Sequence, residues 1–271
     1  MAVVLCTGAS GSLGKILVDK LIKRGDHVRA MDIHESALAQ MAYPPEVFTK
    51  IYGDISDYNR VLKAMKGVDI VYHLAALKNI VITEENAPDC VRINVIGTQN
   101  VAEAAIERKV KQAIFVSSDK SVEPSTLYGS TKQTGEHLWK AAARIQNTTI
   151  FTIVRSGNFF ESAGNVFEIW DKCVKEGKPL PITDLEMERY FIEVPDVADI
   201  LIELPDTEEF NGSVVIPFMK EYNMMDLMLL KYGDDVDFIV TGKRQGEKMK
   251  EKLKYDDEKA IYICNQYEVV R

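Results

Sequence analysis

Ser117-Ser118-Asp119-Lys120 and Tyr128-Gly129-Ser130-Thr131-Lys132 bring four aliphatic hydroxyls, a carboxylate, two ammonium groups and a phenol into one short stretch of chain. Tyr-x-x-x-Lys on a helix puts the Tyr128 phenol and the Lys132 ammonium one turn apart on the same face. An ammonium there, with a cationic hydride acceptor beside it, is expected to lower the phenol from its free pKa of about 10. Such a tyrosine can take the proton of a hydroxyl while hydride leaves the carbon, and Ser118 can hydrogen-bond the same oxygen. Asp119 and Lys120 add a second acid/base pair. Oxidising an alcohol does not require that pair, whereas removing water from an oxidised sugar does.

A departing hydride needs an acceptor. Thr7-Gly8-Ala9-Ser10-Gly11-Ser12-Leu13-Gly14 follows an apolar run, Ala2 to Cys6, and opens a helical pattern. Glycines at 8, 11 and 14 let backbone turn tightly and approach a pyrophosphate, while the helix start offers free N–H groups and positive potential. Ser10, Ser12 and Leu13 stand in the same turn. Asp32 closes the second apolar run, where a carboxylate accepts adenosine ribose hydroxyls and repels a 2′-phosphate. No arginine follows in Ile33-His34-Glu35, so NAD is expected, with NADP the alternative. Asp54 and Ile55, after the third strand, are placed to meet the adenine.

The elements that must carry these groups alternate. Strands are expected at 2–6, 27–33, 47–52, 70–74, 113–117 and 149–155, with helices at 13–24, 58–66, 91–108 and 128–145. Their near-continuous apolar runs and alternation with helices imply a parallel sheet with right-handed crossovers. The fold expected is α/β, a Rossmann-like doubly wound parallel sheet with a small discontinuous substrate-binding lobe. Residues 1–156 form the dinucleotide-binding domain, 190–205 return to it, and 157–271 are mainly the lobe. In that second part a helix within 159–178, a helix at 194–204 and short strands at 213–217 and 237–240 are expected.

Taken together, Thr-Gly-x-x-Gly-x-x-Gly and Tyr128-x-x-x-Lys132 resemble the signature of the extended short-chain dehydrogenase/reductases. Within them the chain resembles the inverting UDP-N-acetylglucosamine 4,6-dehydratases of flagellin glycosylation and capsule biosynthesis. The segments carrying this are His73-Leu74-Ala75-Ala76-Leu77-Lys78, Ser118-Asp119-Lys120, Leu127 to Lys132, Val154 to Asn158, Ile182-Thr183-Asp184 with Met187 to Phe191, and Gly246-Glu247-Lys248. The resemblance implies C4 oxidation by Tyr128 and Lys132, proton abstraction at C5 by Lys120, and protonation of the departing C6 hydroxyl by Asp119. Hydride then returns to C6, and C5 is reprotonated on the opposite face. It further implies that Ala75, Ala76 and Ser117 border the cofactor, and that Asn94, inside the long helix, bridges that helix to the fourth strand near the cofactor. Lys78, Asn158, Arg189, Arg244 and Glu247 would hold the UDP-sugar. His73, at a strand end, reads as structural rather than catalytic.

Three departures stand out. Ser118 occupies a usual threonine position, Phe160-Glu161-Ser162-Ala163-Gly164 replaces a Gly-Ser-Arg-Gly and loses its arginine, and Gln245 replaces a proline. A UDP-sugar 4-epimerase, using Tyr128 and Lys132 and leaving Asp119 and Lys120 idle, is the alternative activity. A non-catalytic dinucleotide sensor is a third reading, against which the intact Tyr128 and Lys132 stand.

The bulk properties set outer bounds. A net charge of −8 over 271 residues argues against a nucleic-acid or anionic-membrane surface, though not against a local anion site. Cys6, Cys90, Cys173 and Cys264 form no zinc or C-x-x-C pattern and read as reduced thiols; no metal is expected. No leader or membrane span is expected, so a cytoplasmic homo-oligomer acting on a UDP-sugar is the expectation.

Overall fold

The computed structural model describes residues 1–160, 162–204 and 206–271. The first half runs β1 (Val3–Thr7), α1 (Ser12–Lys23), β2 (His27–Asp32), α2 (Glu35–Gln40), β3 (Phe48–Tyr52), α3 (Tyr58–Ala64) and β4 (Ile70–His73). It continues with α4 (Ile80–Glu85), α5 (Ala87–Val91), a π-helical segment Arg92–Gly97, α6 (Thr98–Arg108), β5 (Gln112–Ser118), a 3₁₀ turn Asp119–Ser121, α7 (Leu127–Ile145) and β6 (Ile150–Ser156). The second half holds β7 (Asn158–Phe159), α8 (Val166–Glu176), β8 (Leu180–Ile182), β9 (Glu188–Ile192), α9 (Val194–Glu203), β10 (Val214–Pro217), β11 (Lys220–Asn223), α10 (Met224–Tyr232), β12 (Phe238–Val240), β13 (Ala260–Ile263) and β14 (Tyr267–Val270).

One large sheet has the order β13-β14-β10-β6-β5-β4-β1-β2-β3. From β3 to β10 every pairing is parallel, and β14 and β13 add an antiparallel edge. β5 and β6 are buried along their whole lengths, as a sheet covered on both faces demands. Strand order reverses between β1 and β4, so their carboxyl ends, Thr7 and His73, open a crevice where α/β sheets bind ligands.

The expected doubly wound sheet is therefore present, and the chain re-enters it more often than expected. Besides α9, which packs on α1, β10 and the β13–β14 hairpin join the large sheet. The remaining lobe is the sheet β11-β9-β7 and the pair β12-β8, packed with α8 and α10 around Phe167, Trp170, Phe191 and Met228. The stretch expected as one helix over 91–108 is α5, six residues of π-helix and α6. A π-bulge inserts an extra residue per turn without erasing apolar periodicity, so the pattern alone reads as one helix.

Candidate functional site

Both halves of the chain contribute to one cavity of about 760 Å³ at the switch point. Its floor is the turn after β1. Gly8 sits at φ +69°, and a Cβ on it would stand 2.7 Å from the Ala75 amide nitrogen, so only glycine lets the turn press against the segment after β4. Gly11 caps α1 with no side-chain hydrogen bond, and the first turn of α1 carries no acidic residue. A helix start left uncapped and facing a cavity is the donor set a pyrophosphate requires, so these residues fit a dinucleotide.

Asp32 is buried at the next strand end. Its Oδ2 accepts from the Ser10 backbone N–H (3.0 Å) and hydroxyl (2.7 Å), and its Oδ1 from the His34 N–H (3.1 Å). A carboxylate has about four acceptor sites, so about one is left for a ribose hydroxyl rather than the two expected. Asp54 lines the cavity too, but Oδ1 takes the Ser56 N–H and Oδ2 the Arg92 guanidinium at 2.9 Å. Burial works to raise its pKa; the Ser56 hydrogen bonds and Arg92 outweigh it and hold the carboxyl below its ordinary value.

β5 delivers Ser117 and Ser118, the 3₁₀ turn Asp119 and Lys120, and α7 Tyr128 and Lys132. Thr126 starts α7 by accepting the Gly129 N–H at 3.1 Å, which fixes Tyr128 in the first turn. Lys132 is buried, donating to the Val116 carbonyl at 2.8 Å with its Nζ 4.6 Å above the Phe115 ring. Burial lowers the Lys132 ammonium to about 8, against the opposing charge of Glu136. The lowering of the Tyr128 phenol is expected from Lys132 together with a cationic nicotinamide; in the protein alone the phenol stands above its ordinary value. Burial pushes the phenol well up, a hydrogen bond with Ser118 works against this, and nearby Asp119 adds to the rise. A buried phenol with a carboxylate neighbour resists ionising until positive charge arrives in the cavity.

Lys120 faces the cavity with Nζ 3.0 Å from Asp119 Oδ1 and 3.4 Å from Asn158 Oδ1. Asp119 Oδ1 also accepts the Ser118 hydroxyl at 2.9 Å. Its Oδ2 is buried with no hydrogen-bond partner among the described residues. Two of the residues expected at the site do not line the cavity: Asp119, which lies behind Lys120, and Asn94. From the π-helical segment Asn94 bridges to the chain just after β4, accepting the Leu77 N–H and donating to the Leu77 carbonyl (2.8 Å each), and donates as well to Thr131 Oγ1 (3.1 Å). It ties the segment after β4 to α7, two walls of the cavity.

The other expected residues all border it: Ser10, Ser12, Leu13, Gly14, Ile55, Ala75, Ala76, Lys78, Ser117, Arg244 and Glu247 among them. Arg189 is less available than expected. Its guanidinium donates to the carbonyls of Glu188 (2.7 Å), Lys248 (2.8 Å) and Met249 (3.0 Å), and lies 3.8 Å from Glu247. It therefore staples the 244–251 loop to β9 and retains only part of its fork for an anion. Arg244 is exposed at the cavity wall and its guanidinium has no partner among the described residues. In the segment that lacks the arginine, the Ala163 N–H donates to Ser12 Oγ at 3.0 Å, laying the lobe over the phosphate turn. Glu161 lies outside the described residues.

His73 is structural, as read. Its ring sits buried between Thr7 Oγ1 (2.8 Å from Nδ1) and Thr98 Oγ1 (3.0 Å from Nε2) and stacks on Phe115 and Trp139. Thr98 already donates to the Asn94 carbonyl, so it accepts from Nε2–H, and Thr7 donates to Nδ1. Burial drops the ring to about 3, with Lys132 adding to the drop. The folded pKa lies below the unfolded one, so the stability held above pH ~6.5 is lost as pH falls toward ~3. Between pH ~7 and ~5 this group should cost about 2 kcal/mol. Urea unfolding at both values should show a loss larger by that amount in the wild type than in His73→Asn, and equal losses would refute it.

Sequence reasoning missed a buried ion cluster behind the 3₁₀ turn. Arg155 on β6, fully buried, pairs with Glu136 at 2.6 Å and Glu258 at 2.7 Å. Its partners are far along the chain, and no local spacing announces them; a basic residue inside the apolar run of β6 was the available signal.

Comparison with known proteins agrees with this architecture. The sequence profile described as polysaccharide biosynthesis protein matches residues 4–270. The chain is similar to a Campylobacter jejuni UDP-N-acetylglucosamine 4,6-dehydratase (inverting), 32% identical over 273 residues that cover 97% of this chain and 81% of that one. A Rickettsia rickettsii UDP-glucose 4-epimerase is 32% identical over 210 residues, 73% of this chain and 61% of that one. The solved structure of Pen from Bacillus thuringiensis matches with TM-score 0.91 and 30% identity over 99% of this chain and 89% of that one. DesIV, a dTDP-glucose 4,6-dehydratase from Streptomyces venezuelae solved with NAD and TYD, shares the fold at TM-score 0.84 and 20% identity, over 93% and 88%. No helix among the described residues is long and apolar enough to cross a membrane.

Proposed function

The chain belongs to the polysaccharide biosynthesis protein family, among the extended short-chain dehydrogenase/reductases, and on that premise we propose that it is an NAD-dependent UDP-N-acetylglucosamine 4,6-dehydratase that inverts C5, serving surface glycan synthesis. The observation that carries this reading is Lys120. It opens into the cavity that Tyr128 and Lys132 border, with Asp119 against its ammonium. A 4-epimerase needs no such pair.

Bound NAD supplies the acceptor for the C4 hydride and gives it back at C6. The glycine turn and the open end of α1 hold its pyrophosphate, and Asp32 takes a ribose hydroxyl. Tyr128 removes the C4 hydroxyl proton, with Ser118 on the same oxygen and Lys132 supporting the phenolate. The Lys120 ammonium first passes a proton to Asp119, and the neutral amine then takes the C5 proton that the C4 ketone has acidified. Asp119 gives the proton it received to the C6 oxygen as the C–O bond breaks, releasing water. C5 then receives a proton on the opposite face. Arg244 and Lys78, at the cavity wall, suit the diphosphate. Asp32→Ala should weaken NAD about tenfold while leaving NADP within about threefold, since about 1.4 kcal/mol is a tenfold change. Titration with each cofactor checks this, and equal losses would remove Asp32 as the selector.

One feature favours the runner-up, a UDP-sugar 4-epimerase: Asp119 does not line the cavity. Incubation with NAD and UDP-N-acetylglucosamine in deuterated water decides. Loss of one water with deuterium at an inverted C5 supports the dehydratase. An unchanged backbone mass with a new C4 configuration supports the epimerase and sinks the present reading.

A further inference from the structure

The Glu136 carboxylate touches neither cavity nor solvent, yet it reaches both ends of the turn that carries Ser118, Asp119 and Lys120. Its Oε1 accepts the Ser117 hydroxyl at 2.6 Å and lies 2.7 Å from Ser121 Oγ. Ser121 Oγ is also 2.7 Å from the Ser118 carbonyl oxygen, so its single proton is shared between two acceptors. Arg155 fixes the carboxylate from behind, with Nε 3.1 Å from Oε1 and a terminal nitrogen 2.6 Å from Oε2. The same guanidinium takes both oxygens of Glu258 and the Leu253 carbonyl. Tyr255, beside Glu258 in sequence, donates its hydroxyl to the Ser121 carbonyl at 2.7 Å. On its other side Glu136 follows Lys132 by one turn of α7, on the same helix face.

We propose that Glu136 is a positioning residue: it grips the turn bearing Asp119 and Lys120 through Ser117 and Ser121, and supplies the negative neighbour that keeps the Lys132 ammonium charged. This rests on the dehydratase reading above for what the turn does, but not for the grip itself. A buried ion pair that only stabilised the fold would need no hydroxyls on either side of the catalytic turn. Nor would it need to stand one turn from Lys132. The groups facing Lys132 are Tyr128 and Glu136 on α7, Cys90 on α5, the Phe115 ring and Val116 carbonyl on β5, and the neutral His73 on β4. Among the described residues Glu136 is the carboxylate whose charge holds the Lys132 ammonium up against burial.

Two variants test the proposal, each compared with the wild-type chain. Glu136→Gln keeps an oxygen for Ser117 and Ser121 but removes the charge. Lys132, followed by NMR of ¹³C-labelled lysine without substrate, should then titrate lower by about one pH unit. The alkaline limb of kcat should move down by the same amount, with KM within about twofold. Ser121→Ala releases one end of the turn and keeps the charge. It should lower the rate of water loss about tenfold, with the Lys132 titration in place and NAD affinity within about twofold. A Glu136→Gln protein whose only change is a lower Tm, with Lys132 titrating as in the wild type, would overturn the electrostatic part. Unchanged water loss in Ser121→Ala would overturn the grip, including where Glu136→Gln does not fold. The lysine titration needs no turnover, so a wild type that forms no dehydrated sugar refutes the functional reading without touching this result.

Discussion

Lys120→Met, supplied with NAD and UDP-N-acetylglucosamine, should reduce the cofactor yet release almost no dehydrated sugar. Tyr128 and Lys132 are untouched by the change, so hydride leaves C4 as before. On the proposed mechanism what is lost is the base at C5, and a positioned acid or base contributes about 10²- to 10⁴-fold. The near-ultraviolet absorbance of reduced nicotinamide should rise and persist, while mass spectrometry finds a fall in water loss within that range. Asp119→Asn separates the partners. The amide oxygen can still accept from Lys120 Nζ, now 3.0 Å from Asp119 Oδ1, but an amide gives no acidic proton. Water loss should fall about 10²-fold. Because Asp119 is fully buried behind Lys120, the two variants also decide whether it donates the proton or only holds its neighbour. Dehydration at wild-type rate in Asp119→Asn would leave Lys120 as the single working member of the pair.

Gly129→Ala should be nearly as damaging, for a reason of space. A Cβ on Gly129 would strike the Lys120 carbonyl oxygen and stand 3.1 Å from the Pro124 side chain and 3.2 Å from the Lys120 carbonyl carbon. Backbone cannot swing aside as a side-chain tip can, so the 3₁₀ turn must move away from α7. Overpacking of this kind costs about 1–3 kcal/mol. For a chain of this size that lowers Tm by several degrees, on a scale of about 2–4 °C per kcal/mol. The activity loss should exceed what stability accounts for, since a displacement of about 1 Å can cost about 10²-fold. Water loss should suffer more than C4 oxidation, because Lys120 moves and Tyr128 stays on its helix. A Gly129→Ala protein with wild-type Tm and wild-type partition between the two steps would show that the turn has slack.

The half of the chain before residue 156 was legible because its signals are local. Glycine spacing, continuous apolar strands and a Tyr-x-x-x-Lys on a helix each occupy one stretch of sequence. They placed the cavity floor, the crevice and most of its lining. What escaped is what depends on distant partners. Asn94 reads as a bridge to the fourth strand, but its hydrogen bond to Thr131 on α7 and the π-helical segment that carries it do not show, because periodicity does not register such a segment. Arg189 carries the charge an anion site wants, and only the fold shows its fork spent on carbonyls 59 and 60 residues on. The β13–β14 hairpin went unread although Ala260–Ile263 and Tyr267–Val270 carry strand-forming β-branched and aromatic residues, because runs of four residues are too short for a period to register.

The reach of Arg155 has a consequence for how the molecule is made. Its partners lie 19 residues ahead of it and 98 to 103 residues after it, and Tyr255 touches the catalytic turn across 134 residues. Contacts so distant close late, because loop entropy must be overcome before they stabilise anything. A growing chain that has produced Arg155 but not yet residue 258 holds a guanidinium with one of its two carboxylate partners and a turn gripped from one side. The proposed catalytic centre should therefore mature as an end-of-synthesis event. Protein synthesis stopped short of the last strands should yield molecules that hold dinucleotide before they can turn over sugar.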